Sequence, residues 1–124
     1  MAQDFRELIV WQKAMDLACA VYQLTQGFPH AETYGLISQM RRASISVASN
    51  IAEGRGRLTE GEFRHFLGMA QGSLFELKTQ ALLAKRLHLH TQESFAEVQS
   101  CSDEVSRMLT AFLQALSAEP GAKS

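Results

Sequence analysis

Very little in this chain would interrupt a helix. Proline occurs only at Pro29 and Pro120, so nearly everything between them is free to be helical. Cysteine occurs only at Cys19 and Cys101, in apolar helical patterns without CxxC or Cys/His spacing, which excludes a disulfide framework and predicts two reduced, packed thiols. One tryptophan and two tyrosines are few for stacking nucleic-acid bases. No stretch approaches the ~20 apolar residues of a membrane span. The opening MAQDFRELIVWQKAMDLA has acids at Asp4 and Glu7 and lacks the basic start and unbroken apolar run of a signal peptide. A soluble, cytoplasmic protein is expected. Neither charge sign dominates: the net charge of -1 excludes a generic polyanion binder.

At 124 residues, 46% hydrophobic and 20% charged, the chain fits one globular domain with a real core. Its charge is unevenly spread. Residues 39–57, QMRRASISVASNIAEGRGR, set Arg41, Arg42, Arg55 and Arg57 against Glu53, whereas 91–119 carry Glu93, Glu97, Asp103, Glu104 and Glu119 against Arg107. Such clusters are most often solvated faces.

Periodicity predicts four helices. The first spans about 5–26, with Leu8, Trp11, Met15, Ala18 and Tyr22 as its buried face. It stops at Gly27-Phe28-Pro29, where glycine suits a left-handed cap and proline prevents continuation. The second begins near Thr33–Gly35 and ends at Gly54, with Leu36, Met40, Ala43 and Val47 inward. GRGRLT follows, in which Gly54 and Gly56 supply a turn and Thr59 with Glu62 has capping-box spacing. The third helix, from about Glu60 to Leu87, would be roughly 40 Å long. HLHTQE is the last joint, with Thr91 as N-cap. The fourth carries Phe95, Val98, Val105, Met108, Leu109, Phe112 and Leu116. Short joints imply an all-α, antiparallel up-and-down four-helix bundle over 1–118 with a frayed tail at 119–124.

Two faces exceed what a lone bundle needs. Opposite the core face of the third helix (Phe63, Phe66, Leu67, Ala70, Leu74, Leu77, Ala81) lie Gly68, Gly72, Phe75, Thr79 and Leu82. Glycine inside a helix costs about 0.8–1 kcal/mol against alanine, so two of them beside Phe75 and Leu82 suggest that another backbone comes close. That backbone belongs either to a second copy, which is the expectation, or to a neighbouring helix of the same bundle. The polar arc of the second helix holds Gln39, Arg42, Ser46, Ser49, Asn50 and Glu53, short side chains that permit close approach. Glu76 and Gln80 are natural partners for Arg42 or Asn50, and a buried Arg–Glu pair would set register.

FRELIVWQKAMDLA, GFPHAETYGLISQMRRASISVASNIAEGRGR and EFRHFLGMAQGSLFELKTQ together strongly resemble the four helix bundle protein family, also called the 23S ribosomal RNA intervening-sequence proteins. The resemblance covers about residues 5–90 and rests most on QMRRASISVASNIAEG followed by GSLFEL. It implies an up-down bundle assembled as a homo-oligomeric ring, a pentamer, with no enzyme activity, cofactor or small-molecule substrate. Its members are named for reading frames inside inserts of ribosomal RNA genes, and many occur elsewhere. A related accessory protein of diversity-generating retroelements works with a reverse transcriptase and nucleic acid. Those relatives tend to be basic, whereas this chain has a pI of about 6.4.

Catalytic patterns are absent. Ser44, Ser46 and Ser49 have no histidine at helical spacing to activate them. His30, His65, His88 and His90 are scattered, and His88-Leu89-His90 points its two rings to different helix faces. GRGR lacks the lysine and strand of a phosphate loop, and the paired Glu-x-x-His motifs of di-iron bundles do not occur. Two readings remain. One is a ring that acts as a protein-binding scaffold. The other is an accessory to RNA or a ribonucleoprotein, with Arg41, Arg42, Arg55, Arg57 and Arg64 around the joint of the second and third helices.

Overall fold

The computed structural model describes residues 4–89 and 92–117; the expected Thr91 cap, His90 and the 119–124 tail lie outside them. Four helices run Ile9–Gln26 (α1), Ser38–Arg55 (α2), Glu60–Arg86 (α3) and Gln92–Ser117 (α4), and the described residues contain no strand. None of the helices is long and apolar enough to cross a membrane.

Local chemistry sets most boundaries. Asp4 caps a short 3-10 turn at Phe5–Glu7 by accepting from the Arg6 backbone N–H (2.8 Å). The Arg6 guanidinium, closing on the same carboxylate, holds its pKa down at about 2. Thr59 accepts from the Glu62 N–H at 3.1 Å, which is the cap its spacing predicts, and acids at Glu60 and Glu62 suit the positive end of α3. At the other end of α3 His88 adopts φ 57°, and the Leu89 N–H reaches the Ala84 carbonyl (3.1 Å) to close a Schellman-type cap.

Two expectations about glycine are corrected. Gly27 is right-handed (φ −86°), because the chain keeps turning until Phe28 enters the core and Pro29 stops it. Gly54 belongs to α2 rather than to the turn, and Gly56, the cap, is also right-handed. The start of α2 differs as well. Thr33–Ile37 forms a wider π-type turn broken at Gly35, with the Glu32 carboxylate accepting from the Leu36 N–H (3.3 Å).

The register of the bundle is legible in its cross-helix pairs. Gly54 lies against Phe63 and Phe66, Ser46 against Ser73, and Arg42 against Glu76, so α2 and α3 are antiparallel. Lys78–Asp103, Gln71–Thr110 and Arg64–Ser117 do the same for α3 and α4. Lys13–Glu104 joins α1 to α4, and Arg41 to Thr25 joins α2 to α1. Each helix therefore packs on two neighbours in the cyclic order α1, α2, α3, α4. Leu17, Val21, Met40, Val47, Ile51, Leu67, Leu74, Leu77, Val105 and Leu109 fill the centre, and burial of such a side chain contributes about 1.5–3 kcal/mol. Phe63 meets Phe112 edge to face at 5.3 Å.

The buried face of α1 is the expected one only at Leu8, the residue that precedes the helix. Val10, Ala14, Leu17, Val21 and Leu24 turn inward, whereas Met15 and Tyr22 are exposed and Trp11 and Ala18 are half-buried. Both sets recur at three- and four-residue spacing. Helix α1 is apolar over a wider arc than its core packing requires.

Candidate interaction surfaces

Along the α2–α3 seam short side chains let the helices close. The Ser46 and Ser73 hydroxyls are 2.9 Å apart, and a Cβ built on Gly54 would lie 2.6 Å from the Phe66 Cβ. Sequence reasoning misses Ser73, which only its position across from Ser46 could have marked. Several expected partners are rearranged. Asn50 donates to the Ser46 carbonyl (2.9 Å) and hydroxyl (3.1 Å) of its own helix, not to Glu76 or Gln80. Glu53 accepts from Arg57 (2.9 Å), one turn on. Gln80 donates to Glu76 at 3.4 Å, and its own carbonyl oxygen is buried without a partner.

Arg42 does reach Glu76 (3.0 Å), and Gln39 besides (2.8 Å), but this ion pair is exposed rather than buried. Both residues sit on the rim of the seam, where water screens them. Glu76→Gln should therefore change stability by less than ~1 kcal/mol in urea unfolding. A loss near the ~3–5 kcal/mol of a broken buried pair would contradict this placement.

The five arginines do not form one patch. Arg41 and Arg42 sit in the first turns of α2, away from the α2–α3 joint. The Arg41 guanidinium stacks over Tyr22 (4.3 Å to the ring centre) and donates to the Thr25 hydroxyl (2.9 Å), a clamp on α1. Arg55, Arg57 and Arg64 do lie near the joint, but Arg64 is turned toward α4. Arg55 lies over the Phe63 ring and Arg57 over Phe66, while Arg64 donates to the Ser117 hydroxyl. Sequence proximity groups them; helix rise separates Arg41 from Arg55 by roughly 20 Å.

On the outside of α3, Gly68, Gly72, Phe75, Thr79 and Leu82 are all exposed, Phe75 by 52% and Leu82 by 53%. Among the described residues, no helix of the same bundle covers them. A Cβ on Gly68 or Gly72 would meet nothing within 4 Å, so the glycines leave a shallow channel beside two large apolar side chains. A second exposed apolar strip lies on the opposite edge: Met15 (42%) and Tyr22 (39%) of α1 with Ile45 (47%) of α2. The doubled periodicity of α1 is its signal in the sequence.

The thiols are not packed as expected. Cys19 is exposed, and Cys101 is partly buried in a groove with Asp16, Glu97 and Glu104. Burial pushes the Cys101 pKa up, and those carboxylates add to the shift. Among the described residues no three His, Cys, Asp or Glu side chains are placed to hold a metal ion. Ser44 is buried and donates to the Arg41 carbonyl (2.9 Å), an intrahelical role.

Comparison with known proteins agrees with this architecture. A protein of unknown function from the S23 ribosomal protein family of Bacteroides thetaiotaomicron has a solved structure that matches with a TM-score of 0.76. The match covers 86% of this chain and 99% of that one at 19% identity, a likeness of fold. No curated protein matches the chain. The family model described as 23S rRNA-intervening sequence protein matches residues 6–111. The chain belongs to that family.

Proposed function

We propose that this protein is a non-enzymatic scaffold that assembles with copies of itself through the outer face of α3, in a ring that the family resemblance makes a pentamer. One observation carries the reading: Phe75 and Leu82 stand half in water beside Gly68 and Gly72, on a face with no packing partner among the described residues. Helix-interior glycines each cost about 0.8–1 kcal/mol, and a close-approaching backbone recovers that cost by packing into the channel. In light scattering the wild-type particle should weigh a multiple of the 13.8 kDa chain, and Phe75→Asp with Leu82→Asp should reduce it to the single chain. An unchanged particle mass in the variant would rule out this face.

The family description and the position of Arg55, Arg57 and Arg64 near the α2–α3 joint favour a second reading, an accessory to RNA or a ribonucleoprotein. Repetition around a ring would multiply a modest local charge. Labelled structured RNA titrated by fluorescence polarisation should then bind at low salt and weaken steeply toward physiological salt through counterion release. Arg55→Glu with Arg57→Glu should abolish that binding. Absence of binding at micromolar protein and low salt would remove this reading and leave the scaffold.

A further inference from the structure

The α2–α3 joint brings flat cations onto aromatic rings. The guanidinium carbon of Arg57 lies 4.7 Å from the centre of the Phe66 ring, and that of Arg55 lies 5.1 Å from the centre of Phe63. His65, exposed, stands nearly upright to Phe66 with ring centres 5.7 Å apart, and Leu58, which follows Arg57, is 97% exposed. Tyrosine and tryptophan are scarce in the chain, yet this end of the bundle gathers other flat groups. Unpaired bases stack on guanidinium planes as they do on aromatic rings.

Arg57 is arranged as a plane more than as a charge. Its Nη2 donates to the Glu53 carboxylate at 2.9 Å, which neutralises the group and occupies one edge of it. Arginine grips phosphate through those in-plane N–H groups, whereas a base stacks on the face. The face toward the bundle lies over Phe66, and the exposed side chain turns its outer side to solvent. Held at its edge by a carboxylate and at its face by a ring, the plane has little freedom left to lose on binding. Arg41 makes the same kind of pair with Tyr22, but its Nε donates to the buried Thr25 hydroxyl, so it serves the packing of α1 on α2.

We infer that the α2–α3 joint takes unpaired RNA nucleotides, with a base stacked on the outer side of Arg57 and His65 and Leu58 beside it. This rests on the RNA reading and names the class of RNA. Bases inside a duplex are already stacked on one another and offer no face to such a plane. Attraction of phosphates to nearby arginines is common to every RNA and carries no preference of this kind. On charge alone a duplex, with twice the phosphates for its length, would bind at least as tightly as a single strand.

Fluorescence polarisation on the full chain tests this with three labelled probes of equal length: an RNA strand that cannot pair with itself, the same strand with abasic sugars, and a duplex. The unpaired strand should bind about tenfold more tightly than the abasic one, within the roughly 5–150-fold that stacking of one base supplies, and more tightly than the duplex. Arg57→Lys keeps the charge and removes the plane. It should bring the unpaired strand down to the abasic level and leave abasic and duplex binding unchanged. The comparison of intact and abasic strands uses the wild-type chain alone, so a variant that fails to fold does not blunt it. Equal binding of those two strands, preference for the duplex, or full binding of the unpaired strand by Arg57→Lys overturns the stacking assignment and leaves the RNA reading to charge. Binding of none of the probes at micromolar protein and low salt removes the RNA reading itself, and this inference with it.

Discussion

Gly54→Val should destabilise the chain by about 3 kcal/mol, the upper end for an overpacked core site. The reason lies in what the new side chain would meet. A Cβ at this position falls 2.6 Å from the Phe66 Cβ and 3.3 Å from the Phe63 carbonyl oxygen. Neither atom is the free end of a flexible side chain, so α2 and α3 must move apart and loosen the seam around Ser46 and Ser73. Gly54→Ala isolates the effect. Alanine gains about 0.8–1 kcal/mol of helix propensity over glycine, yet the same clash should leave the variant less stable than the parent in guanidinium unfolding. An alanine variant as stable as wild type, or more so, would show that the helices have room here. Phe66→Ala, by removing the opposing ring but not its Cβ, should restore little of the loss.

Leu74→Ala should cost about 3–4 kcal/mol by leaving a cavity at the centre of the bundle. Leu74 is fully buried on α3, on the side where Leu67 and Leu77 also pack. Its cost should be the same at every protein concentration, because the leucine side chain packs entirely within its own chain. Leu82, eight residues on, makes the informative contrast. It is half exposed, so in dilute protein Leu82→Ala should lose less than ~1 kcal/mol. At high concentration it should lose more, because binding to the folded state adds stability by mass action. Thermal unfolding of both variants across a hundredfold concentration range checks this. A Leu82→Ala cost that ignores concentration would confine that residue to intrachain packing.

The contrast between these two leucines marks how much of the molecule is legible in its sequence. Helix number, order and approximate ends follow from periodicity, from Pro29, and from the Thr59–Glu62 cap, all of which act locally. The core face of α3 is legible because its apolar stripe is narrow. That of α1 is not, because Val10–Leu24 and Trp11–Tyr22 satisfy the same spacing and only tertiary packing chooses between them. Gly54 is ambiguous for a related reason: glycine marks a turn or a close approach equally well, and here it serves the second. The arginines are legible as charges but not as a group. Arg41 is committed to Tyr22 and Thr25, and Arg42 to Glu76, while Arg55, Arg57 and Arg64 lie at the other end of α2. The Ser46–Ser73 pair makes the seam tight and polar, as its short side chains imply, although most of the expected donors and acceptors pair elsewhere.

The cyclic order of the helices also bears on how quickly the chain reaches its fold. Three of the four packed pairs join helices adjacent in sequence, and only α1 with α4 brings distant segments together. Low contact order of this kind places helical bundles among the fast folders, in the microsecond to millisecond range. In the proposed assembly, joining of copies would be bimolecular and would slow with dilution, whereas the folding of each chain would not. A newly made subunit would thus have its apolar edges finished before it meets a neighbour, and at low abundance it would spend much of its early life with them in water. Synthesis of several copies close together, from one message, would shorten that interval.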